Sequence, residues 1–273
     1  METQRRKQIS LAQNFLRSPK LVHRLVRISG IGVSDTVYEI GPGSGIITAA
    51  LARVASHVIA IEKDPELVRR LRSRFRSVEN VEIVEKDFLN YCFHTRVSSR
   101  RTERQTYKVF ASIPYNRTAE IIRKIVYKRS NLREACLIVQ KEAANKFSGF
   151  PRETLFSITT KPFFEFQILS HLKRTDFSPV PKVDSVLLSI KRRPNPLIEM
   201  REVSLYRDFV QYGFGSWKPN LKLAFKKVFT YSQWKRLAHD LDFSSAATPT
   251  ELSFEQWLGL YQNFKNRSRH DAS

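Results

Sequence analysis

The chain alternates between short apolar runs and longer amphipathic stretches up to about residue 192. Short runs rich in β-branched and aromatic residues predict buried strands, and the amphipathic stretches between them predict helices. The predicted strands cover residues 36–40, 57–61, 81–84, 109–111, 136–139, 166–169 and 186–190. This alternation is typical of an α/β protein with a doubly wound sheet.

The pattern changes after residue 192. Residues 191–196, with the sequence Lys-Arg-Arg-Pro-Asn-Pro, have the composition of a linker. Beyond them, apolar spacing predicts helices at residues 205–214, 221–229, 232–241 and 253–263. The sequence therefore predicts two domains, a doubly wound domain of residues 1–192 and a small all-helical domain of residues 193–273.

A glycine-rich turn, Gly-Pro-Gly-Ser-Gly at residues 41–45, follows the first of these strands and precedes a helix predicted at residues 46–54. Glycines such as Gly41 and Gly43 tolerate positive φ and let the backbone approach a ligand. A dinucleotide fingerprint needs glycines at the first, third and sixth positions, whereas here they stand at the first, third and fifth, after the acid Glu39. The turn therefore favours a nucleoside or a cationic ligand such as S-adenosylmethionine over NAD.

Acidic residues mark the ends of the next two strands. Glu62 ends the second strand, where a carboxylate can bind both hydroxyls of a ribose, and Asp87-Phe88 follow the third, in position to hold an adenine. Each acid alone is more commonly an ordinary solvated carboxylate. Several such features at successive strand ends favour a nucleoside site, because ligands of open α/β sheets bind there.

The sequence Ser112-Ile113-Pro114-Tyr115-Asn116 follows the apolar run 109–111. An adenine N6 amine is a poor nucleophile because its lone pair is delocalised, so two acceptors and an aromatic clamp would help it react. The Ser112 hydroxyl and a backbone carbonyl near Ile113 or Pro114 would accept from the amine, while Tyr115 stacks on the extruded base. The alternative is a simple strand-ending turn, for which Pro and Asn are common.

Composition indicates a polyanionic partner. Lys and Arg number 47 against 26 acids, which gives a formal charge of +21 and a pI near 10.2. Such a surface should recruit RNA or DNA with strong salt dependence. Because neither an apolar run long enough to span a bilayer nor a signal peptide is evident, we expect a cytoplasmic protein that does not associate with membranes.

The cysteines and the basic segments of the chain add to the picture. Cys92 and Cys136 are expected to be reduced core residues, and no Cys or His spacing predicts a metal site. The basic insert 94–106 is interpreted as a flexible loop that is either a tolerated insertion or an RNA contact, and the basic residues 5–7 have the same two interpretations. The cationic residues of the helical domain fit either an RNA groove or a solvated helix face: Lys218, Lys222, Lys226, Lys227, Lys235 and Arg236.

These motifs together resemble the Erm family of rRNA adenine N6-methyltransferases, within the larger group that includes the small-subunit dimethyladenosine transferases. The likeness covers nearly the whole chain, and its segments are residues 10–16 (Ser-Leu-Ala-Gln-Asn-Phe-Leu), 39–41, Glu62, Asp87, 113–116, 176–179 and 181–185. Residues 253–258, Ser-Phe-Glu-Gln-Trp-Leu, resemble the Erm carboxyl-terminal helix more than that of the small-subunit enzymes.

The resemblance implies a class I methyltransferase sheet, S-adenosylmethionine as cofactor, and one adenine in the peptidyl-transferase loop of 23S rRNA as target. It also implies resistance to macrolides, lincosamides and streptogramin B, and we expect a monomer. The implied cofactor-binding residues are Gln13, Asn14, Leu16, Glu39, Gly41, Gly43, Glu62, Asp87, Phe88 and Ser112. The implied catalytic residues are Ser112, Ile113, Pro114, Tyr115 and Phe177, with Phe177 flanking the base opposite Tyr115.

One position departs from the family. Erm proteins usually carry Asn where this chain has Ser112, and the shorter hydroxyl is hypothesised to change the balance between the first and second methyl transfer. Two other functions remain open: a small-subunit rRNA dimethyltransferase, and an RNA-binding relative without catalysis. A cofactor-binding titration would separate the latter from the enzymes.

Overall fold

The computed structural model of the protein describes residues 15–93, 106–127 and 131–270. Its strands are β1 (Phe15–Leu16), β2 (Thr36–Ile40), β3 (His57–Glu62), β4 (Val81–Glu85), β5 (Tyr107–Ser112), β6 (Leu132–Gln140), β7 (Phe164–Leu172), β8 (Phe177–Ser178) and β9 (Ser185–Arg192). Its helices are α1 (Pro19–Ile28), α2 (Ile46–Leu51), α3 (Pro65–Arg74), α4 (Thr118–Tyr127), α5 (Lys141–Ser148), α6 (Leu155–Thr160), α7 (Val203–Gly215), α8 (Leu221–Ala224), α9 (Tyr231–Asp240) and α10 (Phe254–His270). The basic residues 5–7 and the insert residues 94–105 lie outside the described residues.

Seven strands form one twisted sheet in the order β4-β3-β2-β5-β6-β9-β7. The strands β2 to β6 pair in parallel, and β9 pairs antiparallel with β6. The predicted doubly wound α/β fold is thereby confirmed. Because the central strands are parallel, their carboxyl ends meet at one edge of the sheet. The candidate site residues at the ends of β2, β3 and β5 therefore lie along that edge.

Two predicted helices are shorter in the structure. The helix expected at 46–54 ends at Leu51, where the amides of Val54 and Ala55 both donate to the Leu51 carbonyl and turn the chain toward β3. The helix expected at 221–229 ends at Ala224 and tightens into a 3₁₀ turn at Phe225–Lys227. Phe225 is fully buried there and stacks on Phe209, so side-chain packing sets where this helix ends.

The chain separates into two compact units. The first comprises residues 1–144 and 165–192, and the second comprises residues 145–164 and 193–273. The core of the first unit lies against the sheet, with Leu25, Val37, Val58, Phe110 and Leu187 all fully buried. A boundary after residue 192 therefore coincides with the predicted linker.

Residues 145–164 belong to the second unit, although the sequence prediction placed them within the domain 1–192. The cause is packing of α6: Ile158 is fully buried in the hydrophobic cluster of the second unit. The hydroxyl of Tyr206 also donates to the Ile158 carbonyl over 2.9 Å. Local periodicity cannot reveal this assignment, because it depends on contacts with residues about 50 positions later in the chain.

The two cysteines have different environments. Both are free thiols, and Cys136 is buried in β6 as expected. Cys92 is exposed, so its prediction as a core residue was wrong. Its neighbours Tyr91 and Phe93 pack their rings against Tyr38, and the alternation of side chains along this extended segment directs Cys92 outward.

Within the part of the chain that the structure describes, no helix is both long enough and apolar enough to cross a membrane. Across residues 15–93, 106–127 and 131–270, no three His, Cys, Asp or Glu side chains come together as a metal-binding group.

Candidate active site

The turn after β2 contains three glycines with left-handed backbone. Gly41, Gly43 and Gly45 have φ values of 64°, 54° and 79°, which favour glycine. A Cβ atom on Gly43 would lie 2.6 Å from Cε1 of Phe15, so a side chain there would collide with that ring. A Cβ atom on Gly41 would meet nothing within 4 Å, so the space beside Gly41 is open to a ligand.

Glu62 is fixed by the backbone at the end of β3. Its carboxylate accepts from the amide of Gly43 over 3.3 Å, of Lys63 over 2.8 Å and of Asp64 over 3.1 Å. The side chain is buried, and it connects the glycine turn to the end of β3. A carboxylate held in this way keeps a fixed orientation, as hydrogen bonding to the two hydroxyls of a ribose requires.

Glu39, within β2, lacks the hydrogen bonds that hold Glu62 in the described part of the chain. Its side chain is buried, and neither carboxyl oxygen has a hydrogen-bond partner among the described residues. Burial, and then the nearby carboxylate of Glu62, raise the pKa of Glu39 to about 8. Thr48 opposes this rise, although its hydroxyl is not in hydrogen-bonding geometry with either oxygen. A cation placed near Glu39 would favour its ionised form.

The segment after β5 lies on the side of the site opposite the glycine turn. The Ile113 amide donates to the Ile138 carbonyl over 3.1 Å, which continues the pairing of β5 with β6. The hydroxyls of Tyr115 and Ser185 are 2.8 Å apart and share a hydrogen bond. The Pro114 carbonyl already accepts from the Arg117 amide over 2.9 Å, which makes the Ile113 carbonyl the better candidate acceptor for a substrate amine.

One cavity joins the glycine turn to this segment. Eight of the predicted site residues line it: Leu16, Gly41, Gly43, Ser112, Ile113, Pro114, Tyr115 and Phe177. The lining also includes residues that the predicted site did not contain: Phe15, Pro42, Ser44, Ile46 and Ile47. The structure therefore brings the two strongest sequence motifs to the same cavity.

Phe177 reaches this cavity from the short strand β8. Its partner in the antiparallel β1–β8 pair is Leu16, and both side chains are buried. The pair thus forms an apolar wall beside the turn. Phe15, opposite Ser178 in the same pair, lies over Gly43. Its position in the Gln-Asn-Phe segment was the sequence signal that could have identified it as a site residue.

Other predicted residues lie outside the cavity lining. Glu39, Glu62, Asp87 and Phe88 do not line it, and Gln13 and Asn14 lie outside the described residues. Their assigned roles remain predictions.

Asp87 and Phe88 follow β4 and are engaged by neighbouring residues. The Asp87 carboxylate accepts from the Leu89 amide over 2.8 Å, and its other oxygen lies 3.9 Å from the Arg117 guanidinium. Phe88 is buried, with the Lys124 ammonium 4.9 Å from its ring centroid. These contacts hold the turn after β4 in place.

Sequence reasoning gave no role to Ser185, which begins β9. Its hydroxyl positions the ring of Tyr115 although the two residues are 70 positions apart. The only available signal was its place in the segment 181–185 that resembles the Erm family.

Comparison with known families gives one match over almost the whole chain. Residues 4–266 match the family model described as ribosomal RNA adenine dimethylase.

The individual relatives include both rRNA adenine N-6-methyltransferases and small-subunit rRNA methyltransferases. An rRNA adenine N-6-methyltransferase of Limosilactobacillus reuteri is 30% identical over 260 residues, which cover 95% of this chain and 98% of that protein. A ribosomal RNA small subunit methyltransferase A of Protochlamydia amoebophila is 29% identical over 268 residues, covering 95% and 92%. The crystal structure of the 23S rRNA methyltransferase ErmE superposes with a TM-score of 0.82 at 27% identity, covering 92% of this chain and all of that one.

Proposed function

The chain belongs to the ribosomal RNA adenine dimethylase family, and on that premise we propose that it methylates the N6 amine of one adenine in 23S rRNA with S-adenosylmethionine as methyl donor. The observation that carries this proposal is the cavity shared by the glycine turn and residues 112–115. A cofactor at the turn and a base at Ser112 would lie against the same cavity, as direct transfer between them requires.

The residues near the turn fit this cofactor. S-adenosylmethionine, when bound, supplies an electrophilic methyl group on a positively charged sulfur. Glu39, buried without a hydrogen-bond partner among the described residues, would gain a favourable interaction from a positive charge nearby. Glu62 offers a fixed carboxylate for ribose hydroxyls, and the open space beside Gly41 admits close approach of the ligand.

The segment of residues 112–115 would bind the target base. No described residue forms a hydrogen bond with the Ser112 hydroxyl, so it can accept from the adenine amine, together with the carbonyl of Ile113. Tyr115, oriented by Ser185, would stack on the extruded base, and Phe177 would contribute an apolar surface opposite. These residues would act by positioning the amine, and no covalent intermediate with the protein is needed.

Two observations favour 23S rRNA and the associated resistance to macrolides, lincosamides and streptogramin B. One is the similarity to ErmE, with a TM-score of 0.82. The other is the Erm-like segment 253–258, in which Trp257 is fully buried and donates to the Pro249 carbonyl over 3.0 Å. The second candidate, a small-subunit rRNA dimethyltransferase, is supported by the relative from Protochlamydia amoebophila at nearly the same identity. We propose that the protein acts as a monomer.

Methylation of purified large- and small-subunit rRNA with labelled S-adenosylmethionine would test the target. Primer extension then maps the modified base, with Tyr115→Ala as the inactive variant and Tyr115→Phe as the control that keeps the ring. A Tyr115-dependent stop in the peptidyl-transferase loop of 23S rRNA is expected. Labelling of the small subunit alone would favour the second candidate.

Two further measurements complete the test. Isothermal titration with S-adenosylmethionine should show binding, and its absence would favour an RNA-binding relative without catalysis. Product analysis of Ser112→Asn should change the ratio of mono- to dimethyladenine if the shorter hydroxyl affects the second transfer. Identical ratios in the two proteins would reject that hypothesis.

A further inference from the structure

Trp217 is the most exposed large aromatic residue of the described second unit, with 85% of its surface accessible. The other two tryptophans, Trp234 and Trp257, are buried in the core of that unit and donate to backbone carbonyls. Trp217 therefore makes no comparable contribution to the core. The ammonium of Lys218 lies 3.5 Å from its ring centroid, so one face of the indole is paired with a cation.

Trp217 lies on a groove formed by the end of α7, the loop after it and α8. Tyr212 and Leu223, both partly exposed, line the groove together with Lys218, Lys226 and Lys227. We call this surface the Trp217 groove.

A second cation–aromatic pair occurs in the same part of the chain. The Lys222 ammonium lies 4.5 Å from the ring centroid of Tyr231, which is also exposed. Residues 212–231 thus contain three exposed aromatic rings, Tyr212, Trp217 and Tyr231, and four lysines. Stacking platforms for unpaired bases combine these two residue types.

The charge of this segment is not balanced by acids. Residues 209–239 contain six Lys and Arg and no Asp or Glu. Across the described residues, none of the lysines of the Trp217 groove forms a salt bridge. Ammonium groups without local carboxylates attract phosphates, because phosphate binding releases counterions from the nucleic acid.

We propose that the Trp217 groove binds an unpaired segment of the RNA substrate, with one base stacked on Trp217 and adjacent phosphates bound by Lys226 and Lys227. This inference rests on the proposed function, which supplies RNA as the substrate. An acidic protein partner would satisfy the lysines, but flat exposed rings paired with cations match a nucleobase, which has a π face and a charged backbone beside it.

Binding of an oligouridylate of about 12 nucleotides and of an RNA duplex of equal length would test the proposal. Trp217→Ala should weaken binding of the single strand by roughly 5- to 150-fold and leave duplex binding nearly unchanged. Trp217→Phe, which keeps a ring, should recover part of the loss. Met200→Ala is the matched control, because Met200 is also exposed in the second unit but lies outside the groove.

The salt dependence of RNA binding distinguishes the contribution of the groove lysines from that of Trp217. Lys226→Ala with Lys227→Ala should lower the slope of log affinity against log salt by about 1.4 for a single strand, whereas Trp217→Ala should leave the slope unchanged. The proposal is overturned if Trp217→Ala binds the single strand like Met200→Ala, or if it weakens duplex binding equally. Binding of an acidic peptide that depends on Trp217 while single-strand binding does not would overturn it as well.

Failure of this inference is distinguishable from failure of the proposed function. If the unmodified protein binds S-adenosylmethionine and methylates rRNA but Trp217→Ala does not change RNA binding, only the groove assignment fails. If the unmodified protein methylates neither rRNA, the proposed function fails whatever the groove binds.

Discussion

Two glutamates near one glycine turn show how environment separates residues of the same type. Glu62 accepts from backbone amides, whereas no hydrogen bond reaches the carboxyl of Glu39 among the described residues. Burial is the main cause of the raised pKa of Glu39, about 8, and the Glu62 carboxylate adds to it. Glu39 is therefore mainly protonated near neutral pH until a positive charge is bound beside it.

Replacing Glu39 should change how stability depends on pH. Its folded-state pKa of about 8 exceeds the ordinary value of 4.5, so the folded state retains a proton that the unfolded chain loses between those values. Stability of the cofactor-free protein should therefore fall as pH rises from 4.5 to about 8. Relative to Glu39→Gln, the unmodified protein should lose about 3–5 kcal/mol over this interval, measured by urea unfolding.

The exposed Glu79 offers a control for this experiment, since Glu79→Gln makes the same substitution at the surface. Parallel stability curves for the unmodified protein and Glu39→Gln would show that Glu39 ionises normally in the fold.

Tyr115 and Ser185 should act as a coupled pair. Tyr115→Phe and Ser185→Ala each remove one side of a hydrogen bond of 2.8 Å, so the double variant should be little worse than either single variant. Each change should lower kcat/KM for rRNA methylation about fivefold, corresponding to a coupling of about 1 kcal/mol. Losses that multiply in the double variant would mean that this hydrogen bond does not position the ring.

Helix α1 combines a core contact with a basic surface. Ser18 caps its start by accepting from the Leu21 amide, and Val22, Leu25 and Val26 are buried. The exposed face carries the residues Lys20, His23, Arg24 and Arg27, whose spacing of three and four places them on one side of the helix. They line one groove of the first unit together with His171, Lys173 and the acid Asp176. Cationic side chains outnumber the single acid there, which fits a phosphate backbone.

Neutralising two arginines of α1 should weaken rRNA binding more than neutralising two arginines of α3. Arg24→Gln with Arg27→Gln is expected to lower affinity on the order of tenfold and reduce the salt slope by about 1.5. The matched control is Arg70→Gln with Arg72→Gln on α3, which makes the same change in net charge. Arg70 and Arg72 already pair with Glu66 and Glu85. Equal losses in filter binding would show that only net charge matters.

At the scale of the whole molecule, a charge of +21 is combined with a cavity that is largely apolar at its walls. The charge is spread over both units, since α1 lies in the first and the Trp217 groove in the second. RNA affinity and cofactor affinity should therefore respond differently to salt.

Raising salt from about 50 to about 200 mM should reduce rRNA affinity by roughly 10³-fold or more if at least six phosphates are contacted. S-adenosylmethionine binding, measured by calorimetry at the same two salt concentrations, should change far less. A weak salt response of RNA binding would indicate that the excess charge lies away from the RNA.

Much of the fold was predictable because it depends on local pattern. The spacing of apolar residues and the composition of short runs identified the strands at the sheet centre, and β2 has the predicted bounds Thr36–Ile40. Helix ends were less predictable: α8 ends at Ala224 because Phe225 packs into an aromatic cluster, which residues 221–229 alone do not reveal. The short strands β1 and β8 pair across about 160 residues of sequence, and no local signal announces such a pair.

The sequence by itself determined the order of strands and helices, the glycine turn and the acids at the strand ends, because backbone preferences and side-chain period act between near neighbours. Only the tertiary structure decided that Phe15 covers Gly43, that Ser185 holds Tyr115, and that residues 145–164 join the second unit. It also decided that Glu39 is buried without a partner among the described residues while Trp217 is exposed. These properties depend on packing between residues distant in sequence, which fixes burial, and burial in turn sets pKa and surface chemistry.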